Sequence, residues 1–221
     1  MINIFDETKD FMYENGFYLT SQPYRIGNIL SHWELYKMIT NLPGSILELG
    51  VFKGGSLIQW ATFRELLENE NSRKIIGFDS FGYFPKDDSI ESDGEFIQNW
   101  NEYFDGEFIS EDEIKKSLAL KGVRNVELVK GDIRQTLPAY LEKHGELKLS
   151  LLHIDTDVYE PCMTGLELLY DRVVEGGLIV FDDYGCVEGE TKAADEFFAE
   201  KGMQLHKFPF SHTKPCYMVK R

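Results

Sequence analysis

The sequence predicts an α/β fold: a doubly wound, mostly parallel sheet of seven strands, preceded by N-terminal helices and interrupted by a lid-like insertion. Three observations predict it. Five short apolar runs recur along the chain, and most end in Gly or a carboxylate. Stretches with helical spacing of apolar residues separate them, and two further short runs close the chain around a polar loop. Short, nearly continuous apolar runs suit strands buried on both faces of a parallel sheet, and alternation with helices suits a doubly wound topology.

In residues 1–44, Phe5, Phe11 and Met12, then Leu30, Trp33, Leu35 and Met38, predict helices ahead of the sheet. The strand candidates follow as Ser45–Gly50, Lys74–Asp79, Val126–Lys130, Leu149–Asp155 and Gly177–Asp182. Helical spacing is carried by Leu57, Ile58, Ala61 and Leu66 after the first strand, by Leu137, Tyr140 and Leu141 after the third, and by Met163, Leu166, Leu169 and Tyr170 after the fourth. Gln204–Phe210 and Cys216–Lys220, joined through SHTKP, read as a closing antiparallel pair. Residues 82–122 form the insertion. From Asp87 to Glu113 it holds eleven acidic residues and no Lys or Arg, interleaved with Phe96, Trp100, Tyr103, Phe104 and Phe108. Acidity alone suits disorder, whereas the aromatics suit an ordered cap, so a lid and a solvated excursion both stand open.

Composition bounds the function. The 221 residues fit one domain spanning 1–221, and 43% hydrophobic content supports a sizeable core. With 23 basic against 38 acidic residues, the net charge of −15 repels phosphodiester backbones and anionic headgroups. The expected partner is therefore a small molecule, with no nucleic acid and no membrane. Three dispersed cysteines without CxxC spacing read as reduced thiols, and the N-terminus MINIFDETKD lacks a secretion signature. The expectation is a soluble cytoplasmic protein.

The candidate site residues all fall at strand ends. Glu48-Leu-Gly50 leads into a glycine-rich turn with Gly54, Gly55 and Ser56, where a helix begins. Glycines let the backbone approach a ligand there, and a helix N-terminus offers free N–H groups. The spacing is not GxGxxG, and the Glu48 carboxylate disfavours a pyrophosphate. Asp79 ends the second strand, where an acid suits ribose hydroxyls; a turn-forming Asp is the plainer reading. Asp132, followed by Ile133, suits an exocyclic amine and a purine face, or simply a helix cap. His153, Asp155 and Asp157 end the fourth strand and Asp182 and Asp183 the fifth. Neighbouring parallel strands bring Asp155, Asp182 and Asp183 together, and three such carboxylates repel unless protonated or neutralised. Hard oxygen donors favour Mg²⁺ or another divalent cation. Asp157, with Glu160 and Pro161 following, reads as a helix capping box outside that set. His153 is either a buried structural histidine or a donor and base for the site.

Together these features resemble class I methyltransferases that use S-adenosyl-L-methionine. ELGVFKGGS, FDSFGYFP, HIDTDVYEP and GGLIVFDDYG resemble, more narrowly, the macrocin O-methyltransferase family, over about Tyr24 to Phe198. The resemblance implies a Rossmann-like fold, an S-adenosylmethionine cofactor, a Mg²⁺ requirement and methyl transfer to a sugar hydroxyl or a phenol. It places Glu48 and the Gly50–Ser56 loop, with Gly54 and Gly55, beside the methionine part, and Asp79 on the ribose. Ser80 and Phe81 line the adenosine pocket, Asp132 and Ile133 face the adenine, and Asp155, Asp182 and Asp183 hold the metal. Asp155 or His153 then takes the proton from the acceptor hydroxyl. Three alternatives stand beside this reading: a nicotinamide dehydrogenase, whose glycine spacing is absent; a metal-dependent enzyme of another reaction type, such as a hydroxylase; and a non-catalytic nucleotide-binding module. A homodimer is left open.

Overall fold

The computed structural model describes residues 6–86, 89–105, 107–211 and 215–221. Two helices, α1 (Asp10–Thr20) and α2 (Pro23–Ile39), precede the first strand, as the N-terminal periodicity predicts. The strands are β1 (Ser45–Leu49), β2 (Ile75–Asp79), β3 (Val126–Lys130), β4 (Leu149–Ile154), β5 (Val173–Phe181) and β6 (Cys216–Val219). Between them lie α3 (Gly55–Leu67), α4 (Glu91–Phe104), α5 (Glu111–Leu120), α6 (Ile133–Lys143), α7 (Tyr159–Leu169) and α8 (Glu188–Phe198). The sheet order is β3-β2-β1-β4-β5-β6, parallel except for the antiparallel β5–β6 pair.

The doubly wound α/β class holds, but the described residues contain six strands and not seven. Gln204–Phe210 contributes only an isolated bridge, His206 to Tyr217. The next hydrogen-bonded pair beyond it would be Phe208 with Pro215, and Pro215 has no N–H to give a ladder. Phe208 meets the sheet through its ring instead, stacked on Tyr217 with centroids 5.3 Å apart. Residues 212–214 of the connecting loop lie outside the described residues.

Strand alternation divides the core. Leu47, Leu49, Leu152, Ile154, Ile179 and Phe181 face α6, α7 and α8, while Ile46, Leu151, Leu178 and Val180 face α2 and α3. These side chains are completely buried. The amino-terminal side of the sheet is pinned by Arg73, 5% exposed, whose guanidinium donates to both Glu68 oxygens, to Ser150 Oγ and to the Ile39 and Leu42 carbonyls. At the other side, Glu48 pairs in register with Gly77 and His153, and Ile154 with Phe181. The carboxyl ends of β1, β2, β4 and β5 are therefore level. β1, flanked by β2 and β4, marks where the winding reverses, the place where open α/β sheets bind ligands. The insertion is ordered as α4 and α5.

Candidate functional site at the carboxyl ends of the strands

A cavity of about 540 Å³ opens at this switch point. Gly50, Asp79, Ser80, Phe81, Asp132, Ile133, Asp155, Asp182 and Asp183 line it, so nine predicted residues converge from five strand ends. Glu48, Gly54, Gly55, Ser56 and His153 are not among its lining residues. Glu48 is fully buried beneath it, with Oε1 accepting from Ser56 Oγ at 2.9 Å and Oε2 3.3 Å from His153 Nδ1. Ser56 thus serves Glu48, and α3 starts behind Gly54 without a side-chain cap.

At the β1 and β2 ends, one carboxylate organises the turn. Asp79 accepts from the Val51 and Phe52 amides through Oδ2 at 2.8 and 2.9 Å, and from the Phe81 amide through Oδ1 at 2.5 Å. Gly50 sits at φ +88°, and a Cβ there would lie 1.8 Å from the Asp155 carbonyl oxygen, so β1 leaves the sheet directly against the β4 end. Asp132 caps α6 through the Arg134 amide at 3.0 Å and pairs with the Arg134 guanidinium at 2.7 Å. Its capping role is real, yet it still borders the cavity.

The acidic end holds the three expected carboxylates and adds Asp157 to them. Ligand-type oxygens of Asp155, Asp157 and Asp183 all lie within 4.8 Å of one another. Asp182 also groups with His32 and His153, while its charge acts on Asp155 more strongly than those of Asp157 and Asp183. Asp157 does not cap α7: its φ is +61°, its side chain is 9% exposed, and α7 begins at Tyr159 with no cap from the preceding residue. The Tyr159 amide is taken by Asp93 of the insertion, at 2.7 Å. Burial and the surrounding acids push the Asp155 and Asp157 carboxyls well above the ordinary carboxylate range. Glu190, fully buried on α8, is pushed up to about 8 by burial and by Asp183, whose amide donates to its Oε1 at 2.9 Å. Glu190 Oε2 and Thr156 Oγ1 are buried with no hydrogen-bond partner among the described residues. A crowded set of hard oxygens with orphaned polar atoms beside it fits a divalent cation.

His153 is held behind this surface. Its Nε2 lies 3.8 Å from Asp182 Oδ1, and its ring packs edge-on against Trp60 and His32. Burial opposes its charge, but Asp182 and Glu48 together hold the imidazole well above its usual pKa. His153 does not line the cavity and meets it through Asp182. His32 joins this cluster from α2, its Nδ1 2.7 Å from Gln59 Oε1.

The cavity's outer wall is aromatic and comes from the insertion. Phe84, Phe96, Trp100, Phe104 and Phe108 line it, with Phe52 facing Trp100 and Phe104 at centroid distances of 5.2 and 5.0 Å. The sequence singles out Phe96, Trp100, Phe104 and Phe108 for either a lid or a solvated excursion, and Phe52 only as part of the Gly50–Ser56 loop; it does not point to Phe84, Glu190 or His32. The signal for Asp157 was available, since it stands two residues from Asp155.

Comparison with known proteins agrees with this geometry. The family model described as macrocin O-methyltransferase matches residues 31–208. The mycinamicin III 3''-O-methyltransferase of Micromonospora griseorubida is 29% identical over 184 residues, 80% of this chain and 68% of that protein. The demethyldecarbamoylnovobiocin O-methyltransferase of Streptomyces niveus is 28% identical over 168 residues, 72% of this chain but only 60% of its own length. A calicheamicin methyltransferase structure superposes with a TM-score of 0.72 at 25% identity, covering 98% of this chain and 87% of that one.

Proposed function

The chain belongs to the macrocin O-methyltransferase family, and from that premise we propose that it methylates a hydroxyl of a sugar or phenolic small molecule, using S-adenosylmethionine and a divalent cation. The carrying observation is the single cavity that holds Asp79 and Asp132 at one end and the Asp155, Asp157 and Asp183 oxygens at the other. The two named relatives, each an O-methyltransferase, support the acceptor class.

A bound S-adenosylmethionine supplies an electrophilic methyl group, and a bound divalent cation supplies Lewis-acid stabilisation of the oxygen losing its proton. The protein's part is placement and proton handling. Asp79 would take the ribose hydroxyls while holding the Gly50–Phe52 turn; Ser80 and Phe81 would border the nucleoside, Ile133 the purine and Asp132 its amine. Asp155 and Asp183 would hold the metal. The geometry completes their set with Asp157, whereas the family resemblance completes it with Asp182. Asp155, which alone of the two base candidates lines the cavity, would accept the acceptor proton on a carboxylate oxygen, its charged form favoured when a cation offsets the surrounding acids. His153 acts through Asp182, keeping that carboxylate oriented from behind. The aromatic wall excludes water and covers the acceptor, which makes the insertion a lid. Holding acceptor and methyl donor at attack distance can contribute several kcal/mol to such a reaction, on the order of the gains in intramolecular reactions.

Calorimetry with S-adenosylhomocysteine, followed by methyl-transfer assays over a panel of sugars and phenols, tests the reading. Binding and transfer are expected, with transfer lost in EDTA and restored by Mg²⁺. Binding of NAD(H) without S-adenosylhomocysteine would overturn the cofactor assignment, and full activity in EDTA the metal.

A further inference from the structure

Asp93 gives the insertion a second task. It stands in the first turn of α4 and is 1% exposed, although most of the surrounding acidic residues face solvent. Its Oδ2 accepts the amide of Tyr159, the first residue of α7, at 2.7 Å. Its Oδ1 lies against Gly189 in the first turn of α8: a Cβ there would come within 2.4 Å of Oδ1, 2.7 Å of the Tyr159 nitrogen and 2.8 Å of the Val158 Cα. One buried carboxylate thus occupies the amino-terminal ends of two helices, where unpaired amides and the helix dipoles favour negative charge.

Those two helices follow the two acid-bearing loops. Asp155 and Asp157 precede α7, and Asp182 and Asp183 precede α8. A cover that only roofed the cavity would meet the body of the protein through its aromatic face and would need no buried charge between α7 and α8. We propose that Asp93 is a positioning residue that fixes the separation of the β4–α7 and β5–α8 loops, so that docking of the insertion sets the spacing of the carboxylates. In its metal-binding readout the inference rests on the cation reading above; in its structural readout it does not.

The test compares Asp93→Ala, Asp93→Asn and Gly189→Ala with Leu141→Ala, a core substitution on α6 that lowers stability away from both loops. Mn²⁺ affinity is read by electron paramagnetic resonance and S-adenosylhomocysteine affinity by calorimetry. Asp93→Ala and Gly189→Ala are expected to weaken Mn²⁺ about tenfold or more, the usual scale for residues that orient metal ligands, with cofactor affinity changed less than about threefold. Asp93→Asn keeps a carbonyl to accept from the Tyr159 amide and is expected to recover most of the loss. Leu141→Ala should lower the melting temperature without moving Mn²⁺ affinity. Unchanged Mn²⁺ binding in folded Asp93→Ala, or an equal loss in Leu141→Ala, overturns the proposal. Should Asp93→Ala fail to fold, Gly189→Ala carries the same two outcomes. A wild-type protein that binds no Mn²⁺ refutes the cation reading alone. The clamp is then judged by amide exchange in Asp93→Ala and Gly189→Ala: faster exchange in both 156–160 and 183–190 supports it, and unchanged exchange there in either folded variant refutes it.

Discussion

Asp79 is asked to do two things at once, and Asp79→Asn separates them. In the wild type three backbone amides point at one carboxylate, two on Oδ2 and one on Oδ1. Asparagine retains one carbonyl oxygen and turns an amide nitrogen toward at least one N–H donor. Hydrogen bonds to a charged group contribute about 1.5–3 kcal/mol each, so losing one and weakening the others costs about 3 kcal/mol. For a domain of this size that lowers the melting temperature by about 6–12 °C. The ribose effect is separate. Replacing a charged acceptor on the ribose hydroxyls removes about 1.5–3 kcal/mol, which weakens S-adenosylhomocysteine by roughly 10- to 150-fold. Calorimetry at a temperature where both proteins are folded, paired with thermal melts, reads the two quantities independently. Cofactor affinity within about threefold of wild type, less than 0.7 kcal/mol or so, would refute the ribose assignment even if the melting temperature fell as expected. An unchanged melting temperature would refute the claim that this carboxylate holds the Gly50–Phe52 turn.

Trp100 packs against Phe52, Phe96, Phe84 and Phe104 on the cavity wall, so Trp100→Ala should raise the acceptor KM about tenfold or more while leaving cofactor affinity nearly unchanged; an unchanged KM would remove the insertion from acceptor binding. The Glu68–Arg73 pair gives a pH signature. Burial pushes the Glu68 carboxyl up, but Arg73 and Tyr36 outweigh it and hold it below its usual value. Its contribution is therefore complete above the unfolded pKa, about 4.3, and is lost as pH falls through the lower folded value. Glu68→Gln should lower the melting temperature at pH 7, with the gap to wild type closing in acid below that range; a gap that is constant with pH would show that the ion pair is not the source.

The fold was legible because its signals are local. Runs such as SILELG and GLIVFD announce buried parallel strands by composition alone, and their order gives the winding. QLHKFPF has strand-like apolar alternation, but Pro215 opposite Phe208 has no N–H for the next rung and the ring of Phe208 supplies the contact, so only a bridge forms. At the site, the carboxylates at strand ends were legible because an acid that closes an apolar run must face a ligand or a partner. Glu190 and His32 were not. Each reaches the site from the middle or start of a helix, and nothing in the local sequence says which neighbour a helix face will meet. Glu160 and Pro161 mimicked a capping box for Asp157, and the true capping group, Asp93, lies 66 residues away from the Tyr159 amide it accepts.

The partition of Asp182 and Asp183 follows from strand geometry and leads to the test that decides the metal set. Successive residues leaving a strand point to opposite faces. Phe181 faces the α6–α8 layer, so Asp182 falls on the α2–α3 side with His153 and His32, and Asp183 on the α8 side with Glu190. Asp155 stands between the two, with Asp182 as its strongest neighbouring charge, while the strand stops at Ile154 and Asp157 takes a left-handed backbone that brings its oxygens beside those of Asp155 and Asp183. If geometry governs, Asp157→Asn weakens Mn²⁺ about tenfold or more, whereas Asp182→Asn leaves it nearly intact and disturbs only the His153 cluster. If the family's assignment governs, the order reverses, because binding the cation must then draw Asp182 out of its pairing with His153. Mn²⁺ titrations of the two variants, with Asp183→Asn as the shared loss, distinguish the cases. Equal, wild-type affinity in all three would mean that these carboxylates hold no cation.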